Sequence, residues 1–88
     1  MASCRITVVN PLGLHARAAA RFVKLASTFQ SQIRVGRGPR LVDGKSILGL
    51  LLLAAARGSE IAIVADGVDE DAALAALCAL VQRGFEDA

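Results

Sequence analysis

The order in which strand-like and helix-like segments follow one another is the feature that most limits the fold of this chain. Alternating β-branched runs predict strands, and apolar residues three and four positions apart predict helices. The predicted strands cover residues 4–9, 32–35, 40–42 and 60–65, and the predicted helices cover residues 16–28, 47–56 and 69–83. This order, β-α-β-β-α-β-α, includes a hairpin that turns near Gly38 and Pro39. It predicts an α+β fold in which a mixed or antiparallel four-stranded sheet carries the helices on one face.

Length and composition narrow the class of protein further. The 88 residues predict a single domain spanning residues 1–88. Apolar residues make up 55% of the chain and the only aromatic residues are three phenylalanines, so we expect an aliphatic core. The net charge of +2 comes from scattered basic residues. Without a basic run or an aromatic platform, a nucleic-acid surface is not indicated.

The two cysteines, Cys4 and Cys78, fall in apolar patterns and lack the spacing of a metal motif. Buried free thiols are the favoured interpretation, although a disulfide bridge is an open alternative. The N-terminal residues lead into a strand without a secretory signal, and the longest apolar run, residues 47–56, is too short to cross a bilayer. We therefore expect a cytoplasmic protein without membrane insertion. The acidic group at residues 69–71 is typical of a helix start, not of a metal site.

The single histidine, His15, lies between a turn-forming stretch, residues 10–13, and the first predicted helix. A helix N-terminus presents unpaired N–H groups and the positive end of the dipole, both of which favour anions. Arg17 adds positive charge in the first turn, where it opposes the dipole unless an anion is bound. The simpler interpretation is that His15 is a poor N-cap and that Arg17 is a solvated side chain in the first turn. The functional interpretation is that His15 and Arg17 bind a phosphate group.

Ser46 is predicted to cap the second helix. The preceding Gly44-Lys45 resembles part of a nucleotide-binding loop, but Pro39 occupies the position of its first glycine, so that motif is rejected. The helix itself is more apolar than one buried face requires. One predicted face holds Leu50, Leu53 and Ala54, and the neighbouring face holds Ile47, Leu48 and Leu51. The second face is either packed in the core or exposed as a docking patch.

Three segments together resemble the HPr family, the histidine-containing phosphocarrier proteins of the bacterial phosphoenolpyruvate-dependent phosphotransferase system. They are Gly13-Leu14-His15-Ala16-Arg17, Gly44-Lys45-Ser46-Ile47-Leu48 and Ala65-Asp66-Gly67. The resemblance spans essentially the whole chain. It implies an open-faced β-sandwich, in which a four-stranded antiparallel sheet carries three helices on one side.

The resemblance also implies specific roles. His15 would accept a phosphoryl group on Nδ1 from phosphorylated enzyme I and pass it to an enzyme IIA domain, with Arg17 beside the phosphate. Ser46 matches the serine that an HPr kinase phosphorylates in many members. The apolar surface that docks partners in the family is matched here by Ile47, Leu48 and Leu51. The protein would then be a monomeric carrier, not an enzyme in its own right, and would need no cofactor or metal.

Two features separate this chain from the usual family pattern. Ala18 stands where a proline usually follows the arginine, so we expect a looser start to the first helix with activity retained. The ending Phe85-Glu86-Asp87 resembles the nitrogen-related branch, NPr, so the choice between sugar transport and nitrogen regulation stays open. The alternative hypothesis is a small α+β regulatory or ligand-binding module in which His15 performs no chemistry.

Overall fold

A four-stranded sheet with helices on one face forms the body of the protein. In the computed structural model, which describes residues 1–86, the strands are β1 (Ala2–Thr7), β2 (Gln32–Arg37), β3 (Arg40–Asp43) and β4 (Glu60–Asp66). The helices are α1 (Ala16–Ala26), α2 (Ile47–Leu52) and α3 (Glu70–Gln82), and a short 3-10 helix follows at Gly84–Glu86. The predicted order of strands and helices is confirmed.

The strands lie in the order β1-β4-β2-β3, and every neighbouring pair is antiparallel. Ile63 in β4 pairs with Cys4 on one side and with Val35 on the other. The mixed sheet allowed by the sequence is therefore not formed. Strands β1 and β3 lie at the two edges, and the β2–β3 hairpin turns at Gly38 and Pro39 as predicted.

The core lies between the sheet and the helices. One face of the sheet is buried along each inner strand, and each helix packs its apolar side against that face. Its largest fully buried side chains include Val8, Phe22, Ile33, Val35, Leu50, Leu53, Ile61, Ile63, Leu77, Val81 and Phe85. Burial of each large aliphatic or aromatic side chain stabilises the fold by about 1.5–3 kcal/mol, which is how a chain with few aromatic residues maintains a stable core.

The second helix is shorter than predicted. It ends at Leu52, and Ala54 takes a left-handed backbone conformation with φ of 50°. The predicted extent of this helix, residues 47–56, is therefore wrong at its C-terminal end. The physical reason is a tertiary contact, since the carbonyl of Ala55 accepts the N–H of Leu14 at 2.9 Å. Residues 54–56 leave the helix to cover the turn that precedes His15.

The cysteines form a disulfide between Cys4 on β1 and Cys78 on α3. The interpretation as free thiols is wrong, and the alternative of a bridge is the one the structure adopts. Both residues are half-buried against the core. They meet because α3 packs across β1 and β4, which brings together positions 74 residues apart in the chain.

Candidate functional site

A tight turn fixes the backbone in front of His15. The side-chain amide of Asn10, which is buried, donates to the Gly13 carbonyl at 2.7 Å, and the Gly13 N–H donates to the Asn10 carbonyl at 3.1 Å. Gly13 has φ of +66°, and a Cβ there would lie 2.5 Å from the Ala55 carbonyl oxygen. Both the backbone conformation and the lack of space require glycine.

His15 is the N-cap of α1. Its backbone is extended (φ −87°, ψ −178°), and its carbonyl accepts the Ala19 N–H at 2.8 Å, which begins the helical hydrogen bonding. The Arg17 backbone N–H donates to the imidazole Nδ1 at 3.3 Å. A nitrogen that accepts a hydrogen bond carries a lone pair, so this contact favours the neutral tautomer with its proton on Nε2. In that tautomer the lone pair of the ring lies on Nδ1.

The start of α1 is electrostatically suited to an anion. No acidic residue lies in its first turn, and the exposed Arg17 side chain adds a positive charge there. The first N–H groups of any helix have no intrahelical acceptor, and they reinforce that charge. Ala18, at the position where the family usually has proline, is fully buried, and α1 forms with alanine there.

The C-terminal 3-10 helix packs behind this site. The Arg21 guanidinium donates to the carbonyls of Phe85 at 3.0 Å and Glu86 at 2.6 Å. A Cβ on Gly84 would lie 3.3 Å from the Asn10 Cβ, so this helix touches the turn before His15. Nothing in the sequence pattern indicated this role of Arg21. Of the ending assigned to the NPr branch, Asp87 lies outside the described residues.

A second helix start, at Ser46, resembles the first in geometry. Ser46 is the N-cap of α2, and its Oγ accepts the Gly49 N–H at 3.0 Å, as the sequence predicted. The Lys45 ammonium donates to the Phe29 carbonyl at 2.8 Å, which holds the loop before the cap. No acidic residue lies in the first turn of α2. The Ser46 side chain is only half-buried.

An apolar surface adjoins Ser46. Leu48 is 75% exposed and Ile47 is 42% exposed, whereas Leu51 is half-buried and packs against the core. Leu50 and Leu53 are buried as predicted, but Ala54 is exposed because the helix has already ended. We call Ile47, Leu48 and Leu51 the α2 patch.

Leu12 and Leu52 are also exposed, and the sequence did not predict their exposure. Leu12 lies in the turn before His15, where a strand or helix pattern gives no information about exposure. Leu52 ends α2, and its carbonyl accepts a hydrogen bond from Arg40 at 2.7 Å. Arg37 donates to the next carbonyl, that of Leu53, at 3.0 Å. These cations satisfy carbonyls that the short helix leaves unpaired.

The acidic group at the start of α3 has a structural role. Asp69 accepts the backbone N–H groups of Gln30 at 2.8 Å and Ser31 at 2.9 Å and the Ser31 hydroxyl at 2.5 Å. The Ser31 hydroxyl, followed by the Gln30 N–H, lowers the pKa of the Asp69 carboxyl. The N-terminal ammonium, 2.9 Å from Glu70, lowers the pKa of that carboxyl. Across residues 1–86 no acidic, histidine or cysteine group could hold a metal ion.

Comparison with known families decides what kind of protein has this site. A family model described as the PTS HPr component phosphorylation site matches residues 2–83. The chain belongs to the HPr family. The HPr-family assignment extends over both helix starts, since the matched residues include His15 and Ser46.

Relatives of known name and structure agree with the HPr assignment. The chain is 47% identical to the phosphocarrier protein HPr of Pseudomonas aeruginosa, over 99% of this chain and 98% of that one. It is also 44% identical to the phosphocarrier protein NPr of Shewanella violacea, over 96% and 92% of the two chains. A crystal structure of HPr from Thermoanaerobacter tengcongensis superposes with a TM-score of 0.95 at 40% identity, covering 100% of this chain and 99% of that one. In the part of this chain that the structure describes, no helix is both long and apolar enough to cross a bilayer.

Proposed function

We propose that His15 accepts a phosphoryl group from phosphorylated enzyme I and transfers it to an enzyme IIA domain. The observation that carries this proposal is the orientation of the imidazole, whose Nδ1 accepts the Arg17 N–H at the start of α1. In the first transfer the bond between phosphorus and enzyme I breaks as the P–Nδ1 bond forms. In the second transfer the P–Nδ1 bond breaks and the phosphoryl group passes to the IIA domain.

The surroundings of Nδ1 support both transfers. Neutral imidazole is a good nucleophile near neutral pH. When the P–Nδ1 bond forms, the Arg17 N–H loses Nδ1 as its acceptor and is placed to donate to a phosphoryl oxygen instead. The Arg17 guanidinium supplies positive charge without forming a closed pocket. Such a site neutralises the phosphate yet leaves it accessible, and in-line transfer depends mainly on positioning and charge.

The α2 patch is the proposed docking surface for enzyme I and enzyme IIA domains. Leu48 and Ile47 extend into solvent, and Leu51 forms the half-buried edge of the patch. Residues 54–56, which follow α2, contact the turn before His15. A partner seated on the patch would therefore lie close to the phosphoryl acceptor.

Ser46 is the proposed regulatory site. Its hydroxyl lies at the start of a helix whose first turn contains no acidic residue, where a phosphate would be tolerated. Phosphorylation by an HPr kinase would add about −1.5 to −2 charges beside the α2 patch. We expect it to weaken partner binding more than it alters the fold.

The remaining expectations follow from the same role. The protein would act as a carrier between two partners, without a cofactor, and would not turn over a substrate by itself. A monomeric state and a cytoplasmic location remain predictions. The alternative, a regulatory module without chemistry at His15, predicts that no phosphoryl group is accepted.

The proposal is tested by incubating the protein with phosphoenolpyruvate and enzyme I. We expect one acid-labile, base-stable phosphate per chain, as phosphohistidine requires. The adduct should be absent from His15→Ala and present in Ser46→Ala, which serves as the matched control. Absence of the adduct in the wild-type protein, or its persistence in His15→Ala, would overturn the proposal.

A further inference from the structure

We propose that Cys4 and Cys78 form a redox-reversible cross-link that exchanges with small-molecule disulfides of the glutathione class. This modification site is separate from His15 and Ser46, and it does not depend on the phosphocarrier role. Its observable consequence is a difference in the stability of the fold between the oxidised and reduced forms.

The position of the two sulfurs in the fold supports this proposal. Cys4 lies on β1, an edge strand that pairs only with β4, and Cys78 lies on α3, which packs across both strands. Both cysteines are half-buried, so they are neither sealed in the core nor fully exposed. The bond joins the sheet edge to a helix that is 74 positions away in sequence.

The spacing of the backbone indicates that the open dithiol is also accommodated. The two Cα atoms are 7.7 Å apart, whereas most disulfides have Cα atoms within about 6.8 Å of each other. Helix α3 and strand β1 also contact each other, and α3 contributes Leu77 and Val81 to the hydrophobic core. We expect these core contacts to hold the fold together when the bond is reduced, which a reversible site requires.

The exchange proceeds in two balanced steps. One cysteine thiolate attacks a sulfur of the small-molecule disulfide, which releases one small thiolate and leaves a mixed disulfide on the protein. The second cysteine thiolate then attacks the protein sulfur of that mixed disulfide and releases the second small thiolate. Two protein thiols are oxidised, one small disulfide is reduced to two thiols, and the two thiol protons pass to the released thiolates. A dithiol reductant reverses both steps.

The expected effect on stability follows from chain topology. A bond that closes a loop of this length restricts the unfolded chain strongly and stabilises the native state. It also gives β1 a second attachment in addition to its pairing with β4. In a reducing compartment the two cysteines would remain thiols, and a change to oxidising conditions would form the disulfide.

The test compares guanidinium unfolding of the full chain in reduced and in oxidised glutathione. We expect the midpoint of the wild-type protein to rise by roughly 1 M on oxidation and to return after treatment with dithiothreitol. The Cys4→Ala/Cys78→Ala double variant should have the same midpoint in both buffers. That midpoint should be close to the midpoint of the reduced wild-type protein.

Mass spectrometry after maleimide labelling identifies the products. In oxidised glutathione the wild-type protein should take up no maleimide and carry no glutathione. The single variants Cys4→Ala and Cys78→Ala should each retain one glutathione, because the second step is blocked. Full labelling of the oxidised wild-type protein, its accumulation as a glutathione adduct or intermolecular dimer, or a midpoint independent of redox state would each overturn the proposal.

Discussion

The starts of α1 and α2 have similar capping geometry but are suited to different chemistry. Each N-cap residue is extended, and each uses its side chain to accept a backbone N–H two or three positions ahead. At His15 the accepting atom is an imidazole nitrogen, which is itself a nucleophile at neutral pH. At Ser46 it is a hydroxyl oxygen, which needs a base to become one. Capping geometry alone therefore does not decide whether a residue receives phosphate from a carrier or from a kinase.

The two helix starts also differ in the segment that precedes them and in the length of the helix that follows. His15 follows a turn whose glycine fits against the Ala55 carbonyl, and it begins an 11-residue helix. Ser46 begins a helix of 6 residues beside the exposed α2 patch. The start of α3 contrasts with both, because its first turn contains Glu70 and Asp71, which would repel a phosphate. Four predictions test this comparison, in order of decreasing effect.

The largest effect is expected at the turn that supports His15. Gly13→Ala should destabilise the protein by about 3 kcal/mol or more, because the new Cβ adds a backbone clash to the cost of a positive φ. The matched control is Gly38→Ala, at φ of +58° with open space around it, which should cost only about 1 kcal/mol. Chemical denaturation of both variants measures the difference. Equal losses would show that the turn is not tightly fitted to residues 54–56.

Arg17 tests the charge at the first helix start. Arg17→Ala keeps the backbone N–H that donates to Nδ1 but removes the guanidinium. We expect kcat/KM for phosphoryl acceptance from enzyme I to fall roughly 10- to 100-fold, since one charged donor to the phosphate is lost. Arg17→Lys retains the charge, so its kcat/KM should lie between the values of Arg17→Ala and the wild type. An Ala variant as fast as wild type would remove Arg17 from the site.

Ser46 tests the charge at the second helix start. Ser46→Asp should lower the rate of phosphoryl acceptance by about 10-fold, because a negative charge is placed beside the α2 patch. Stability should change by less than about 1 kcal/mol, since aspartate is also a good N-cap. Ser46→Asn is the control, because it caps without charge and should transfer at the wild-type rate. If both variants slowed transfer equally, the cap and not the charge would be responsible.

The smallest effect is expected on the α2 patch itself. Leu48→Ala should raise KM for enzyme I about 5-fold with kcat unchanged, as the loss of one docking side chain at an interface would do. Its control is Val68→Ala, because Val68 is 88% exposed in the loop after β4 and lies outside the patch. Steady-state kinetics with enzyme I would separate the two. A KM unchanged by Leu48→Ala would move the docking surface elsewhere.

Local patterns were enough to predict much of the fold and the position of the candidate site residues His15 and Ser46 at two helix starts. Strand alternation and helix periodicity gave the order of elements, and the turn residues before His15 located it at a helix start. Ser46 was recognisable as a cap because an apolar run follows it directly. These features depend on neighbours within a few positions, which is what a sequence pattern records.

The features that the sequence did not predict depend on distant contacts. The early end of α2 and the positive φ of Ala54 arise because residues 54–56 meet the turn at Gly13. The Cys4–Cys78 pair and the hydrogen bonds of Arg21 to the C-terminal 3-10 helix join segments at opposite ends of the chain. No periodicity encodes such pairings, because they depend on how α1 and α3 pack on the sheet.

The central claim is that Nδ1 of His15 carries the phosphoryl group, and the most direct test is NMR of the phosphorylated protein with 15N-labelled imidazole. We predict phosphorus coupling to Nδ1, with the ring proton retained on Nε2. We also predict a changed resonance for the Arg17 amide, because its acceptor becomes a phosphoryl oxygen. Coupling to Nε2, or a phosphate found only at Ser46, would contradict the account.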